Sequence, residues 1–113
     1  MTHLPMSMAM AEVIAERFRL LADTTRIRIL DALRDRPLTV GALTDEIGTS
    51  QQNISKHLGL LHRAGIVARE KDGVLVHYRI ADDTVFELCE EVCGGIHRHL
   101  NGLQTMMEEG VIR

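Results

Sequence analysis

From Met8 to Leu21, apolar Met10, Ala11, Ile14, Phe18 and Leu21 recur every three or four residues, which predicts a helix with one apolar stripe. Asp23 or Thr24 can cap a second helix carrying Ile27, Ile29, Leu30 and Leu33, and Pro37 follows as a stop. Thr39 can cap a short third helix with Ala42, Leu43 and Ile47 inward, ended by Gly48. Thr49 or Ser50 caps a fourth, with Ile54, Leu58 and Leu61 inward and Gly65 at its C-terminal turn. Two helices joined by a tight glycine-containing turn are a helix-turn-helix, here spanning about 39–65. Ile66 to Glu70 and Val74 to Ile80 are β-branched and alternating, so a hairpin with its turn at Lys71-Asp72-Gly73 is expected as a wing over about 66–80. Asp82 or Asp83 then caps a long last helix, about 82–109, with Val85, Leu88, Val92, Ile96, Leu100 and Leu103 apolar and Gly110 at its end. Inside it, Gly94-Gly95 costs about 1 kcal/mol per residue relative to Ala, and either kinks the helix or lets another chain approach. The expected fold is mainly α with a small β-hairpin, a winged helix-turn-helix of order α-α-α-α-β-β-α.

At 113 residues the chain is read as one domain, 1–113, small enough to gain from dimerisation. Aromatic residues make up only 3%, so the core must be built from Leu, Ile, Val, Ala and Met. No apolar run approaches the ~18–20 residues that span a bilayer, so no membrane partner is expected. The start, MTHLPMSMAMAEV, lacks a basic segment followed by a long apolar stretch, as a secretory leader would have. Two cysteines in such a chain fit the reducing cytoplasm, where paired thiols more often bind metal or do redox chemistry than staple a fold.

A net charge of −3 looks wrong for a nucleic-acid binder, but its distribution changes the picture. Residues 24–80 carry nine Lys and Arg against six Asp and Glu, whereas residues 81–113 carry two against seven. A basic middle joined to an acidic tail points to two surfaces with different jobs. The exposed start of the fourth helix offers Ser50, Gln51, Gln52, Asn53, Ser55, Lys56 and His57, whose donors and acceptors suit base edges and phosphates. On the wing, Arg69, Lys71 and Arg79 can meet phosphate or the minor groove, although a strand charge is often only an edge guard.

The stretches LLADTTRIRIL, LTVGALTDEIGTSQQNISKHLGLLHRAGIV and REKDGVLVHYRI together resemble the ArsR/SmtB family of bacterial winged helix-turn-helix repressors. The likeness runs from about Phe18 to Ile80 and on into a last helix of the expected length. It implies a homodimer paired through the first and last helices, on a double-stranded DNA operator of two half-sites. It also implies an inducer, a metal ion, metalloid or reactive sulfur species, that loosens DNA binding. Two recognition helices on a two-fold axis should meet successive major grooves about 34 Å apart.

Departures from the family pattern are informative. Its arsenic-type site places Cys-x-Cys at the start of the first helix of the helix-turn-helix, where this chain has Leu38-Thr39-Val40-Gly41. Its zinc-type site on the last helix needs histidines where this chain has Asp82-Asp83-Thr84, Gly95 and Arg98. Its persulfide-sensing pair needs a cysteine before Cys89, and there is none. What remains is Cys89 and Cys93, one helical turn apart and offset by about 40°, with His97 one turn on. Thiolates favour soft ions, so zinc, cadmium, arsenic or antimony are the expected ligands. Zinc wants about four donors, so a second chain, or His97 with an N-terminal residue such as His3, would complete the site. An intrahelical disulfide is disfavoured because the Cβ directions are nearly parallel. The same cysteines also lie in an apolar stripe with Leu88, Val92 and Ile96, where they could simply pack in a dimer interface. The neighbouring acids Glu87, Glu90 and Glu91 favour a bound cation.

The leading expectation is therefore a dimeric repressor released when an inducer engages Cys89 and Cys93. A repressor of the same fold without an inducer site, and a winged-helix protein-interaction module, are the alternatives. An enzyme is not expected: no general base sits at sensible spacing from the thiols, and no Gly-rich loop cradles phosphate.

Overall fold

The computed structural model describes residues 5–108, so the expected roles of His3 and Gly110 lie outside the described residues. Each helix begins where a small polar side chain satisfies a backbone N–H left over by the first turn. Ser7 caps α1 (Met8–Leu21) by accepting from the N–H of Met10 at 3.1 Å. Asp23 caps α2 (Thr24–Ala32) through Arg26 N–H at 3.0 Å. Thr39 does the same for α3 (Val40–Ile47) through Ala42 N–H, and Ser50 for α4 (Gln51–Arg63) through Asn53 N–H, both at 3.1 Å. Gly48 ends α3 at φ 83°, its N–H returned to the carbonyl of Thr44 at 2.8 Å. That left-handed conformation crowds the Cβ of any other residue.

A three-stranded antiparallel sheet completes the first unit, in the order β1-β3-β2. The strands are β1 (Leu38–Thr39), β2 (Val67–Asp72) and β3 (Leu75–Ile80). Strand β1 was not expected from the sequence: two residues are too few for an alternating pattern, and Thr39 also serves as the cap of α3. The hairpin turn differs as well. Asp72 pairs with Leu75, so the loop is Gly73-Val74 and not Lys71-Asp72-Gly73. Gly73 has φ 63°, and among the described residues only glycines have positive φ, which fits a two-residue turn with glycine first.

The core of this unit, which ends at Ala81, is aliphatic, as the scarcity of aromatics requires. Ile29 and Leu30 from α2 and Leu33 at its C-terminal cap, Leu43 and Ile47 from α3, Ile54, Leu58 and Leu61 from α4, and Leu38, Ile66 and Val67 around the sheet are all buried. Each such side chain contributes roughly 1.5–3 kcal/mol relative to its exposed state. This packing fixes α4 against α2 and α3 and leaves its opposite face to solvent. By contrast the α1 stripe is exposed: Met10, Val13 and Phe18 are open to solvent, and within α1 only Leu21 is buried.

From Asp82 the chain forms a second unit, the helix α5 (Thr84–Glu108). Asp82 Oδ1 accepts from Thr84 N–H at 3.0 Å, and the N–H of Phe86 bonds to the carbonyl of Asp83. The helix runs unbroken through Gly94-Gly95. Its apolar residues Val92, Ile96 and Leu100 are each about half exposed.

Candidate nucleic-acid interface and thiol pair

Helix α4 is two-faced. Gln51, Gln52, Ser55 and Lys56 are exposed on the side away from Ile54, Leu58 and Leu61. Ser50, also exposed, uses its hydroxyl as the cap acceptor. Asn53 is half-buried and donates from Nδ2 to Thr49 Oγ1 at 3.1 Å, so its carboxamide is held in place before any ligand arrives. The helix therefore presents a row of amides, a hydroxyl and one cation, all of a length that reaches base edges and phosphate.

His57 corrects the expectation. It is not on the exposed face but only 6% accessible, the one buried polar side chain in the described core. The spacing contained the signal: Ile54, His57, Leu58 and Leu61 stand at i, i+3, i+4 and i+7, which is the inward stripe. Its Nδ1 lies 3.1 Å from an Arg26 guanidinium nitrogen, and its Nε2 lies 4.0 Å from Asp23 Oδ1. Arg26 also donates through Nε to the carbonyl of Leu20 at 2.5 Å. Burial pushes the imidazole pKa down, Arg26 and Lys56 push the same way, and Asp23 opposes them. Asp23 is itself held below the ordinary carboxylate range, chiefly by the Arg26 N–H it accepts from. Asp23 was legible as a helix cap, but neither it nor Arg26 as a partner of a residue some thirty positions away.

On the wing the register sorts the charges. Arg69 stands opposite Tyr78 and Lys71 opposite Val76, so the two cations share one face. Glu70 opposite His77 and Arg79 opposite Ala68 lie on the other. Arg79 donates from Nε to Glu70 Oε1 at 2.6 Å, so its charge is matched within the hairpin. Arg69 and Lys71 are exposed. The tip is apolar, with Val74 96% accessible.

In α5, Cys89 is a half-buried and Cys93 an exposed free thiol. His97, on the next turn, is exposed. Among the described residues no three His, Cys, Asp or Glu side chains come together as a metal-binding group. Among the described residues of one chain the pair thus offers two soft donors and no closed coordination shell. No helix among the described residues is long and apolar enough to cross a membrane.

A helix-turn-helix followed at once by a β-hairpin defines a winged helix, a class of DNA-binding proteins. Comparison with known proteins agrees. Residues 21–70 match a helix-turn-helix domain family. The Mycobacterium tuberculosis HTH-type transcriptional regulator Rv0081 is 44% identical over 96 residues, covering 84% of each chain. Its crystal structure superposes with a TM-score of 0.77 over 85% of this chain and 97% of that one, at 37% identity. The AntR antimony-specific transcriptional repressor is 30% identical, with a TM-score of 0.76 over 88% of this chain and 90% of its own. A homodimeric winged helix-turn-helix domain from Mycobacterium bovis, Mb0332, described as a possible ArsR-family regulator, has a TM-score of 0.71 at 28% identity and covers 87% and 94%. The chain belongs to the ArsR/SmtB family of winged helix-turn-helix transcriptional regulators. It is a DNA-binding regulator and not an enzyme.

Proposed function

We propose that the protein is a homodimeric repressor that reads an operator with the start of α4 and releases it when a soft metal ion, metalloid or reactive sulfur species engages Cys89 and Cys93. The observation that carries the DNA reading is the exposed row Gln51, Gln52, Ser55 and Lys56 on a helix whose other face is locked into the core. Ser50 and Asn53 border that row, and Arg69 and Lys71 add charge from one face of the wing. Arg79 belongs to this surface only if its pairing with Glu70 opens. Lys56, Arg69 and Lys71 from two copies give about six cations, so log affinity should fall against log salt with a slope of about −5.

Dimerisation is supported by the exposed apolar stripes of α1 and α5, and by the homodimeric relative. The inducer reading is supported by two free thiols one turn apart on α5, and by the antimony-specific relative. The donor chemistry fits a soft ion: sulfur donors favour zinc, cadmium, arsenic or antimony, and a second copy, or His97, would supply what one pair lacks. An inducer acts by binding the two dimer arrangements unequally and shifting the population away from the DNA-competent one. Half-burial of Cys89 within the apolar stripe favours the second reading, in which the cysteines pack and no inducer binds.

Fluorescence anisotropy of the reduced, metal-free protein on labelled DNA from upstream of its own gene separates the two. Zinc, cadmium, arsenite, antimonite and a persulfide donor are added singly, with the Cys89→Ser/Cys93→Ser variant alongside. Release by one of them in the wild type alone supports the sensor. Tight binding that none disturbs assigns the cysteines to packing. Absence of salt-dependent binding to that DNA would remove the repressor reading.

A further inference from the structure

We infer that His57 is the positioning residue of the recognition surface, pinning α4 to the corner between α1 and α2 through Arg26 and Asp23. The inference rests on α4 being the helix that meets DNA.

Arginine only donates hydrogen bonds, so the nitrogen it meets must carry a lone pair. Nδ1 of His57, 3.1 Å from the Arg26 guanidinium, is therefore the acceptor. The imidazole is neutral with its proton on Nε2, the side towards Asp23 Oδ1 at 4.0 Å. Arg26 in turn holds the carbonyl of Leu20 in the last turn of α1, and Asp23 caps α2 through the N–H of Arg26. One imidazole thus joins the recognition helix to the end of α1 and the start of α2. A second link, from Arg17 of α1 to the carbonyl of Ala64 at 3.2 Å, holds only the far end of α4. Near its start, the core around the imidazole is aliphatic, and such packing is non-directional and tolerates small rotations.

His57 follows Lys56 directly, so what holds one orients the other. Side chains lie roughly 5–6 Å from a helix axis, so a rotation of ~10° moves the exposed row by about 1 Å. Base-edge hydrogen bonds are sensitive to such a shift, whereas attraction to phosphate is not. The network therefore contributes to sequence discrimination rather than to general affinity for DNA. It also has a chemical off-state. Protonation of Nδ1 would set an N–H against the guanidinium and break the link. The charged groups facing His57 are Asp23 and Arg26 of α2 and Lys56 of its own helix.

Three variants test this. His57→Leu keeps the bulk and removes the acceptor. His57→Asn places Oδ1 where Nδ1 stood and keeps it. Arg26→Met removes the donor at a half-buried site and serves should His57→Leu not fold. Folding and dimer mass are checked first by thermal melting and sedimentation. Anisotropy is then read on the upstream duplex and on a scrambled duplex of the same composition, from pH 7.5 to 5.5. The expected result is at least a ten-fold loss of preference for the upstream duplex in His57→Leu and Arg26→Met, with scrambled-duplex affinity within about two-fold of wild type. His57→Asn should restore the preference to within about three-fold. The wild-type preference should decline as acidification passes the folded pKa of His57, which burial holds below its ordinary value, and that of His57→Asn should stay flat. An unchanged preference in folded His57→Leu, or equal losses on both duplexes, would overturn the inference. A wild type without any preference would instead overturn the DNA reading. The positioning role is then judged on the free protein, by nitrogen-15 shifts of the imidazole and hydrogen exchange of the α4 amides. An Nε2–H tautomer, with α4 protection lost in Arg26→Met, supports it; an Nδ1–H tautomer or unchanged protection rejects it.

Discussion

Replacing Gly48 by alanine and, separately, Gly59 by alanine should move stability in opposite directions. Gly48 closes the turn between α3 and α4 at φ 83°, and a Cβ there would meet no atom within 4 Å. No packing contribution enters, so the effect is that of the backbone alone. A left-handed conformation costs an L-residue roughly 1–2 kcal/mol. The loss of freedom in the unfolded chain returns about 0.4–1 kcal/mol. Gly48→Ala should thus destabilise by about 1 kcal/mol. Gly59 lies inside α4 with ordinary helical backbone, and its Cβ would touch only the flexible end of Arg63 at 3.5 Å. Alanine is favoured there by about 1 kcal/mol. For a chain of this size each kcal/mol is worth about 4–8 °C in melting temperature, so the two variants should lie roughly 10 °C apart. Urea unfolding at one fixed protein concentration is the assay, because the proposed dimer would make apparent stability depend on concentration. Equal signs for the two substitutions would refute the assignment of the left-handed turn to Gly48.

Two further outcomes follow from charge. Glu70→Gln frees Arg79 in an exposed pair, so stability should change by less than about 0.5 kcal/mol. If Arg79 lies near phosphate, the salt slope of DNA binding steepens by about 0.9 per wing, and an unchanged slope places Arg79 away from DNA. Stability should also fall with acid in two stages. The folded pKa of His57 lies below its ordinary value of 6.5, so the unfolded chain takes up the proton first. Stability is therefore complete above pH 6.5 and declines as pH drops from there towards the folded value. Asp23, lowered from 3.8, adds a second loss below that pH. Urea midpoints across pH 7.5 to 3 should show the first stage in wild type and not in His57→Asn.

Much of this architecture was legible because capping and periodicity are local. Thr39, Gly48, Ser50 and Gly65 each satisfy or release backbone groups within a turn or two of their own position, and all fall where the pattern placed them. What escaped was non-local. Strand β1 exists because Leu38 and Thr39 find Tyr78 and His77 some forty residues later. The inward turn of His57 is compensated by Arg26 and Asp23, which no neighbouring residue announces. The pairing of Arg79 with Glu70 depends on hairpin register, which in turn depends on where the two-residue loop falls. A polar side chain at an inward position, such as His57, looked like surface because its type outweighed its spacing.

Thr39 is at once the last residue of β1 and the cap of α3. At the other end, the N–H of Ile66 bonds back to Leu61 of α4, and its carbonyl accepts from Ala81 just past β3. Hairpin and helix-turn-helix are therefore welded at both joints, with no linker to bend. Such a part would work like one jaw of a caliper: its own shape is fixed, and the proposed pair of copies would measure a length. One base pair inserted between half-sites displaces a jaw's target by about 3.4 Å and turns it by roughly 35°. In the proposed dimer neither error could be absorbed inside a jaw, so a signal that opens or closes the tool on DNA would have to act where the two copies meet.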